Sequence, residues 1–400
     1  MTKKTNFTLA CHWAFPKDQG GIGMHNIYLL QILQNYFHVS IVSSLNDLNN
    51  EYYSNRNIVF NSFELNYPKV LMKIMSKGYF NNGFRSLNDI LTSYKISKIL
   101  NKNNTDIIEF IDIHSDGYVY LKNKNGQNKT KVVIRSHTPW ALLRGYYKSY
   151  EIKKTDTWWA IKREKYCFKN CDQITVPSND LKTKLVDIFN LNHLDVKVLP
   201  NILDTNHFAP MECENSENFT ILHLGRFERP KGVETLIKAF INIAKVYKNI
   251  RLINIGESRG PSKEICTKLL NAEGLIDRVN FTGFVHYKDL PQHYANADIV
   301  VVPSEIYESF SYTVAQGMAC GKPVVASNIG GIPETLDYGN AGLLFEPGNI
   351  DDLYSNLELL YSDVSSREFY GQKAREYSVK NFSFQALGPR YNKFYRSIIL

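Results

Sequence analysis

Short apolar runs alternate with longer amphipathic stretches along most of the chain. Helical periodicity follows the first apolar runs, for example over Met24–Asn35 and Leu87–Leu100. This alternation predicts parallel sheets covered by helices on both faces. The predicted strands of the first half are Phe7–His12, His38–Ser43, Ile58–Phe63, Asp106–Ile111, Lys131–Ser136 and Gln173–Pro177. Those of the second half are Thr220–Leu224, Arg251–Ile255, Val279–Phe281, Ile299–Val302, Pro323–Ser327 and Gly342–Phe345.

The length of the chain and one polar segment predict two domains. Four hundred residues exceed what one ordinary hydrophobic core supports. The segment Leu203–Asn218 is polar and lacks hydrophobic periodicity. We therefore predict two doubly wound, Rossmann-like α/β domains, residues 1–203 and 204–381, that face a central cleft. The last stretch, Phe382–Leu400, has a helical pattern.

A first candidate binding motif lies after the strand that starts the second half. Arg226 and Lys231 stand between Gly225 and Gly232, just before a predicted helix at Val233–Lys245. A lone Arg and Lys would more often form a solvated basic turn. Between two glycines at the end of an apolar strand, they are instead suited to hold a diphosphate.

A second motif runs from Glu308 to Gln316 and follows the strand Ala297–Pro303. A helix is predicted to start near Ser309 or Ser311. Its first backbone N–H groups, those of Phe310, Ser311 and Tyr312, would add donors for an anionic ligand. The plainer alternative makes Glu308 a capping acid that complements the helix dipole.

Two candidates in the first half also follow strands. Gly20 and Gly21 belong to a glycine turn before the helix at Met24, which suits either a phosphate contact or a tight turn. The turn resembles a dinucleotide fingerprint, but no acidic residue ends the second strand, which argues against NAD. His137 ends another strand and is either a substrate ligand or a hydrogen-bonded loop histidine. Asp112, His114 and Asp116 form an acceptor-side cluster or a solvated surface.

These motifs resemble the signatures of glycosyltransferase family 4, which are retaining enzymes of the GT-B architecture. The resemblance is strong over residues 219–348, which include Ala319–Glu334. It extends to Pro200–Phe208 and, less strongly, to nearly the whole chain. It implies that Arg226 and Lys231 grip the donor diphosphate and that Glu308 holds the donor sugar. The second acid of the family's motif is Gln316 here, whose amide can still bond a ribose diol.

The resemblance also assigns roles outside this motif. It places Gly20 and Gly21 under the diphosphate and His137 against the donor sugar. It places the backbone of Phe284 and Val285 at the nucleobase. It further implies a C-terminal helix, residues 382–400, that packs back on the first domain.

Charge is distributed unevenly along the chain. The net charge of the chain is +8. Residues 1–205 contain 27 Lys and Arg and 17 Asp and Glu, which gives +10. Residues 206–400 contain 20 Lys and Arg and 22 Asp and Glu, which gives −2. This asymmetry predicts that the first domain meets something anionic. Aromatic and basic residues alternate through Trp140–Phe168, which suits an acidic glycan, a lipid-linked diphosphate acceptor or peripheral contact with an anionic membrane face. Ordinary helices with aromatic core contacts explain the segment equally well.

Composition and short motifs exclude several other classes of protein. Six scattered cysteines show no metal spacing, and Cys167 and Cys171, one helical turn apart, suit packing. The sequence has no apolar stretch of membrane-spanning length and no secretory signal pattern, which predicts a cytoplasmic protein. It offers no nucleic-acid-binding motif and no Asp-x-Asp pair for a metal. We therefore expect neither a metal nor a resident cofactor.

The sequence thus predicts a retaining, metal-independent glycosyltransferase. Its donor would be a nucleotide-diphospho-sugar, with UDP as the expected nucleotide. Its acceptor would be a glycan or a lipid-linked molecule of bacterial surface polysaccharide or glycolipid synthesis. Two alternatives remain open. One is a different enzyme on this architecture, such as a sugar-nucleotide epimerase or an inverting transferase. The other, raised by Gln316, is a catalytically silent partner that binds nucleotide or glycan.

Overall fold

The computed structural model describes residues 5–12, 20–44, 58–64, 85–144, 154–192, 194–213, 216–258 and 260–399. The chain divides into two compact units, and each is built around its own parallel sheet. Unit 1 comprises Met1–Asn201 and Leu387–Leu400, and unit 2 comprises Ile202–Ala386. The sequence placed the first boundary two residues later, after residue 203, and the second five residues earlier, after residue 381.

Unit 1 contains a sheet of seven parallel strands within its described segments, in the order β3-β2-β1-β4-β5-β6-β7. The strands are β1 (Asn6–Ala10), β2 (His38–Ser44), β3 (Val59–Phe63), β4 (Ile107–Ile111), β5 (Lys131–Arg135), β6 (Gln173–Val176) and β7 (Val196–Val198). Each neighbouring pair is parallel, for example Phe7 of β1 beside Ile107 of β4. The helices are α1 (Gly21–Leu33), α2 (Arg85–Leu100), α3 (Tyr118–Asn123), α4 (Trp140–Leu143), α5 (Lys154–Asn170) and α6 (Asn179–Phe189).

Unit 2 repeats the scheme with six parallel strands in the order β10-β9-β8-β11-β12-β13. They are β8 (Phe219–Leu224), β9 (Ile250–Ile255), β10 (Val279–Gly283), β11 (Ile299–Val302), β12 (Val324–Ser327) and β13 (Leu343–Phe345). The helices are α7 (Val233–Val246), α8 (Ser262–Ala272), α9 (Leu290–Ala295), α10 (Tyr312–Ala319), α11 (Ile332–Thr335), α12 (Ile350–Ser362) and α13 (Val364–Phe382). The last helix, α14 (Phe384–Ile399), begins in unit 2 and continues into unit 1.

The two sheets confirm the predicted doubly wound α/β fold. In each sheet the strand order reverses beside the first strand, between β1 and β4 in unit 1 and between β8 and β11 in unit 2. Loops diverge at such a reversal, and open parallel sheets bind ligands there, at the carboxyl ends of the strands. In unit 2, both predicted motifs follow these two strands, β8 and β11.

The core of unit 2 is apolar and centres on α7. Its buried side chains include Phe240 of α7, Ile221 of β8, Val301 of β11 and Leu357 of α12. The apolar positions of α7 recur at helical spacing, so one face of the helix covers the sheet. This packing fixes the β8–α7 loop, which carries Arg226 and Lys231.

Local differences from the sequence prediction have simple physical causes. The structure adds β7, whose three residues are too short to show a periodic pattern. Helix α1 begins at Gly21 rather than Met24, so the predicted glycine turn forms the first helical turn. The polar segment predicted as a linker buries Leu203 and Phe208 completely.

Candidate functional site

Two loops of unit 2 are locked together at Gly232. This glycine has φ +69°, and a Cβ added there would lie 1.6 Å from the carbonyl oxygen of Pro303. Only glycine allows this approach, because any side chain would clash with the backbone. The N–H groups of Glu305 and Ile306 also donate to the carbonyl of Pro230, at 2.9 and 3.0 Å. The β8–α7 loop and the β11–α10 loop therefore hold one fixed arrangement.

The two motifs meet through a direct ion pair. Lys231 Nζ lies 2.5 Å from Glu308 Oε1, and Ser304 Oγ donates to the same oxygen at 2.9 Å. The Lys231 and Glu308 side chains are 23% and 17% exposed, so solvent or a ligand still reaches them. Glu308 lies outside α10, whose cap is Ser311, so the capping alternative for Glu308 is wrong.

Arg226 is the more exposed of the two predicted cations. Its guanidinium Nη2 lies 3.0 Å from Glu228 Oε1, and its side chain is 42% exposed. An exposed ion pair contributes little to stability. A diphosphate could therefore replace Glu228 as the partner of Arg226 at little cost in free energy. The loop therefore presents two cations, Arg226 and Lys231, at the end of β8.

Helix α10 begins beside this ion pair. Ser311 caps it by accepting a hydrogen bond from the N–H of Val314. Phe310 is buried against Phe382, at 5.3 Å between ring centroids, and Tyr312 Oη donates to the carbonyl of Ile202 at 3.1 Å. The side chains of Phe310 and Tyr312 therefore hold the helix start in place. Any ligand contact by these residues would come from their backbone.

Gln316 pairs with a tyrosine that the motif does not contain. Tyr294 Oη donates to Gln316 Oε1 at 2.9 Å, and both side chains are buried. Burial raises the pKa of Tyr294 well above its usual value, so the phenol remains a donor. The carbonyl oxygen of Gln316 keeps a second lone pair, and its amide group keeps two donors. Gln316 is thus oriented by Tyr294 and retains hydrogen-bonding capacity for a ligand.

The predicted nucleobase contacts lie after β10. Gly283 has φ +78°, and its carbonyl accepts the N–H of Gly256 at 2.8 Å. Phe284 is 45% exposed and Val285 is half-buried. A second close approach at Gly256, where a Cβ would lie 2.0 Å from the carbonyl oxygen of Gly225, ties this region to the Arg226 loop.

Sequence reasoning missed three residues that build this region. Ser304 and Tyr294 bond the two motif side chains, as described above. His223 lies within β8, and its Nδ1–H donates to the carbonyl of Val301 at 3.1 Å. Burial, and then the nearby Lys231, lowers the pKa of His223 to about 4. No sequence spacing marks these residues: Ser304 precedes Glu308 in the same loop, and Tyr294 and His223 lie on other elements, α9 and β8.

In unit 1, His137 lies at the end of β5 and is buried. Its backbone N–H donates to Asp112 Oδ1 at 3.1 Å, and its ring packs edge-on to His25 at 5.1 Å. Its Nε2 has no hydrogen-bond partner among the described residues. Burial, with a further contribution from Arg135, lowers the pKa of His137 well below its ordinary value. His137 is therefore a neutral imidazole at pH 7, and its buried Nε2 lacks a hydrogen-bond partner among the described residues.

The remaining candidates of unit 1 differ from expectation. Asp112 and Asp116 are 1% exposed, so the solvated-surface alternative is wrong for both. Burial raises the pKa of Asp112 to about 6 and that of Asp116 to about 7. Gly20 and Gly21 are exposed, and a Cβ at Gly20 would have no neighbour within 4 Å. The fold itself therefore does not require glycine at position 20.

Across the described segments, one group of side chains has the composition of a metal site. One ligand atom from each of His12, Asp89 and His114 lies within 4.8 Å of the others. Arg163, however, already donates to Asp89 Oδ2 at 2.7 Å, and His114 Nδ1 lies 3.2 Å from Asp89 Oδ1. A buried guanidinium beside the carboxylate opposes a divalent cation there. We interpret this group as a buried ion pair.

Comparison with known proteins relates this chain to a family. Residues 19–207 match the model of Glycosyltransferase Family 4, and residues 209–377 match that of Glycosyl transferases group 1. An uncharacterized glycosyltransferase of Methanocaldococcus jannaschii is 30% identical over 243 residues, which cover 57% of this chain and 60% of that relative. The aligned part thus spans less than two thirds of that relative's length.

Solved structures show the same architecture over nearly the whole chain. Sucrose-phosphate synthase from Thermosynechococcus elongatus is 21% identical with a TM-score of 0.78, and the match covers 99% of both chains. An Anabaena protein solved in complex with UDP and glucose is 18% identical with a TM-score of 0.73, covering 99% of this chain and 100% of that one. The fold is thus that of the GT-B glycosyltransferases. The chain belongs to glycosyltransferase family 4.

Proposed function

We propose that the protein transfers a sugar from a nucleotide-diphospho-sugar to a glycan or lipid-linked acceptor, with retention of the anomeric configuration. The observation that carries this proposal is the Lys231–Glu308 pair at the carboxyl ends of β8 and β11. The pair supports the proposal because it puts a lysine that would bind the diphosphate beside a carboxylate that would bind the sugar. Gly232 and Pro303 fix the loops that present them.

The proposed chemistry is electrostatic. When the glycosidic bond breaks, negative charge grows on the departing diphosphate. Arg226, Lys231 and the start of α10 would stabilise that charge more in the transition state than in the ground state. A diphosphate oxygen would accept the acceptor's proton as the acceptor attacks the same face of the sugar. Glu308, released from Lys231 by the diphosphate, would bond the sugar hydroxyls.

For His137 we propose the role of a hydrogen-bond partner of a substrate sugar. Its lowered pKa makes it a neutral donor or acceptor rather than a cation. We therefore do not assign it a role in charge stabilisation, which leaves that task to Arg226 and Lys231.

We further propose that the reaction needs no divalent cation, since two cationic side chains stand at the predicted diphosphate position. Transfer should persist in excess chelator, with at most a modest change in rate from product release. Complete loss of transfer in chelator, with recovery in magnesium or manganese, would contradict this part of the proposal.

UDP is the nucleotide that we propose for the donor. Support comes from the Anabaena structure of the same fold, which holds UDP and glucose. A role in bacterial surface polysaccharide or glycolipid synthesis is proposed from the family resemblance alone.

The test is slow hydrolysis of a panel of UDP- and GDP-sugars, followed by proton NMR. We expect one UDP-sugar to be hydrolysed and the first free sugar to carry the donor's anomeric configuration. The inverted anomer would overturn the retaining mechanism, and an epimerised sugar nucleotide would favour the epimerase. A protein that binds UDP but hydrolyses nothing would favour the silent partner that Gln316 raises as an alternative.

A further inference from the structure

Three helices of unit 1 form one continuous surface. Asp89 of α2 and Arg163 of α5 are joined by a hydrogen bond of 2.7 Å. The N–H of Val119 in α3 donates to Ser93 Oγ of α2 at 2.9 Å. Tyr118 and Tyr166 place the rings of α3 and α5 5.3 Å apart. Helices α2, α3 and α5 therefore pack side by side.

Charges are sorted by sign across this surface. The acidic residues of the three helices are all buried: Asp89 is 3%, Asp156 6% and Glu164 1% exposed. Six lysines of the same helices are exposed, and we call them the basic face: Lys95, Lys98, Lys122, Lys162, Lys165 and Lys169. Among side chains described on these helices, no exposed carboxylate offsets them. The surface field is therefore strongly positive.

Each helix also carries the same aromatic–lysine pair one turn apart. Lys162 Nζ lies 3.6 Å from the centroid of the Trp158 ring on α5. Lys98 and Lys122 lie 5.1 and 5.3 Å from the rings of Tyr94 and Tyr118 on α2 and α3. In each pair the ammonium lies over the aromatic ring in a cation–π contact, so a positive charge and a ring stand together at the surface.

Large apolar side chains are exposed on the same helices. Trp158 and Trp159 are 49% and 51% exposed, and Tyr94 is 45% exposed. Leu87 and Ile90 of α2 are 41% and 37% exposed. Half-exposed tryptophan is costly in water but favourable at the headgroup level of a bilayer, where its ring is buried and its N–H stays hydrated.

We propose that this surface docks unit 1 on an anionic lipid bilayer. The basic face would contact lipid phosphates, and Trp158, Trp159 and the exposed part of α2 would enter the interfacial region. Nucleic acid would satisfy the lysines but would offer no apolar phase for Leu87, Ile90 and the tryptophan pair. The proposal concerns a surface contact only: no helix in the described part of the chain is long and apolar enough to cross a membrane.

The test is co-sedimentation with vesicles of phosphatidylcholine, with and without phosphatidylglycerol. We expect binding only to the anionic vesicles, and weaker binding at high salt. The triple variant Lys98→Gln, Lys122→Gln, Lys162→Gln should lower the partition coefficient about 100-fold, since each lysine near an anionic surface contributes about fivefold. The matched control removes three exposed lysines of unit 2: Lys245→Gln, Lys268→Gln and Lys373→Gln.

A second pair of variants tests the aromatic contribution. Trp158→Ala with Trp159→Ala should lower anionic-vesicle binding about tenfold or more. Phe369→Ala, which removes a 53% exposed ring from unit 2, should not. Brominated lipids should quench the wild-type tryptophan emission and lose that effect in the double variant.

Equal binding to neutral vesicles, or an unchanged affinity in the lysine triple variant, would overturn the proposal. So would concentration-dependent dimerisation that the tryptophan double variant abolishes, because the surface would then join two copies of the chain. None of these outcomes depends on the donor chemistry proposed above.

Discussion

The two units share one strand order but treat charge in opposite ways. Among described residues, the fully buried acids and arginines all lie in unit 1: Asp89, Glu109, Asp112, Asp116, Asp156, Glu164, Arg135 and Arg163. Unit 2 buries no Asp, Glu, Lys or Arg to that extent in its described part. Its charged site residues stand partly exposed at strand ends. The same fold therefore supports a polar interior in one unit and an apolar interior with a charged rim in the other.

The difference follows from how each charge is compensated. In unit 1, Glu109 accepts a hydrogen bond from Tyr395 of α14, and Arg135 Nη2 donates to Asn201 Oδ1 at 2.6 Å. Burial removes the favourable hydration of these groups, and their hydrogen bonds within the protein compensate for only part of that free energy. In unit 2, Lys231 and Glu308 remain partly exposed to solvent. Their ion pair can therefore break, and each side chain can bind a ligand instead. Unit 1 should therefore respond to pH in its stability, and unit 2 to anions in its affinity.

The largest expected effect is on turnover, and it concerns Lys231 and Arg226 at the end of β8 in unit 2. Lys231→Ala should lower turnover about 10² to 10³-fold, because a cation is lost where charge develops in the transition state. Arg226→Ala should act in the same direction. Lys268→Ala, an exposed lysine paired with Glu264 on α8, is the matched control and should be neutral. Near-wild-type turnover in Lys231→Ala would place the diphosphate site elsewhere.

The next effect concerns pH and the interior of unit 1. Burial raises the pKa of Glu109 from 4.5 to about 7, so the folded state holds this proton more tightly than the unfolded state. The stabilisation is fully present below pH 4.5 and is lost as the pH rises through 7. It is on the order of 3 kcal/mol.

The matching experiment compares wild type with Glu109→Gln in denaturant at pH 5 and pH 8. All four tryptophans precede residue 202, so tryptophan emission reports unit 1 alone. The wild type should lose stability relative to the variant on going from pH 5 to pH 8. A pH-independent difference between the two would contradict the assignment. The buried His25 and His137 act in the opposite sense below pH 6.5, and they are common to both proteins.

Backbone packing at the rim gives a smaller effect on stability. Gly232→Ala and Gly274→Ala both place alanine at positive φ, +69° and +66°, but only Gly232 faces an obstructing atom. Both variants should be less stable than wild type, because alanine disfavours the left-handed conformation. The clash with Pro303 should lower the stability of Gly232→Ala by about 1–3 kcal/mol more. Hydrogen exchange of unit 2 peptides measures the difference. Equal losses would show that the two loops separate without cost.

The smallest expected effect concerns the orientation of Gln316. Tyr294→Phe removes the hydroxyl that donates to its Oε1 and should weaken UDP binding about fivefold. Tyr377→Phe removes a hydroxyl bonded to the carbonyl of Glu334, elsewhere in unit 2, and serves as the control. UDP titration of both variants checks this prediction, and equal affinities would remove Tyr294 from the site.

Sequence patterning predicted the fold well because parallel strands buried on both faces are short continuous apolar runs. Twelve of the strands were predicted close to their observed positions, and β7 was missed because three residues show no period. The start of α1 was misplaced because glycine disfavours helix interiors, although Gly21 and Gly23 lie in its first turn.

The candidate site was predictable only where the chemistry lies in one contiguous segment. Arg226, Lys231, Glu308 and Gln316 stand in two such segments. Ser304 stands in the second segment, but only its hydrogen bond to Glu308 in the folded chain identifies its role, and Tyr294 reaches Gln316 from α9. The burial of Asp112 and Asp116 could not be read from Asp-Ile-His-Ser-Asp, which looks like a polar loop. It arises from contacts made in the folded chain: Asp112 accepts hydrogen bonds from Ser136 and His137, which follow β5, and Asp116 accepts the N–H of His12, which follows β1.

The most direct test of the diphosphate site is calorimetric titration of UDP and of uridine into the wild type, Lys231→Ala, Gln316→Ala and Gln316→Glu. Lys231→Ala should weaken UDP binding about tenfold or more and leave uridine binding unchanged, because only UDP carries the phosphates. Gln316→Ala should weaken both ligands about tenfold, and Gln316→Glu should stay within about an order of magnitude of wild type. A Lys231→Ala protein that binds UDP as tightly as wild type would contradict the account.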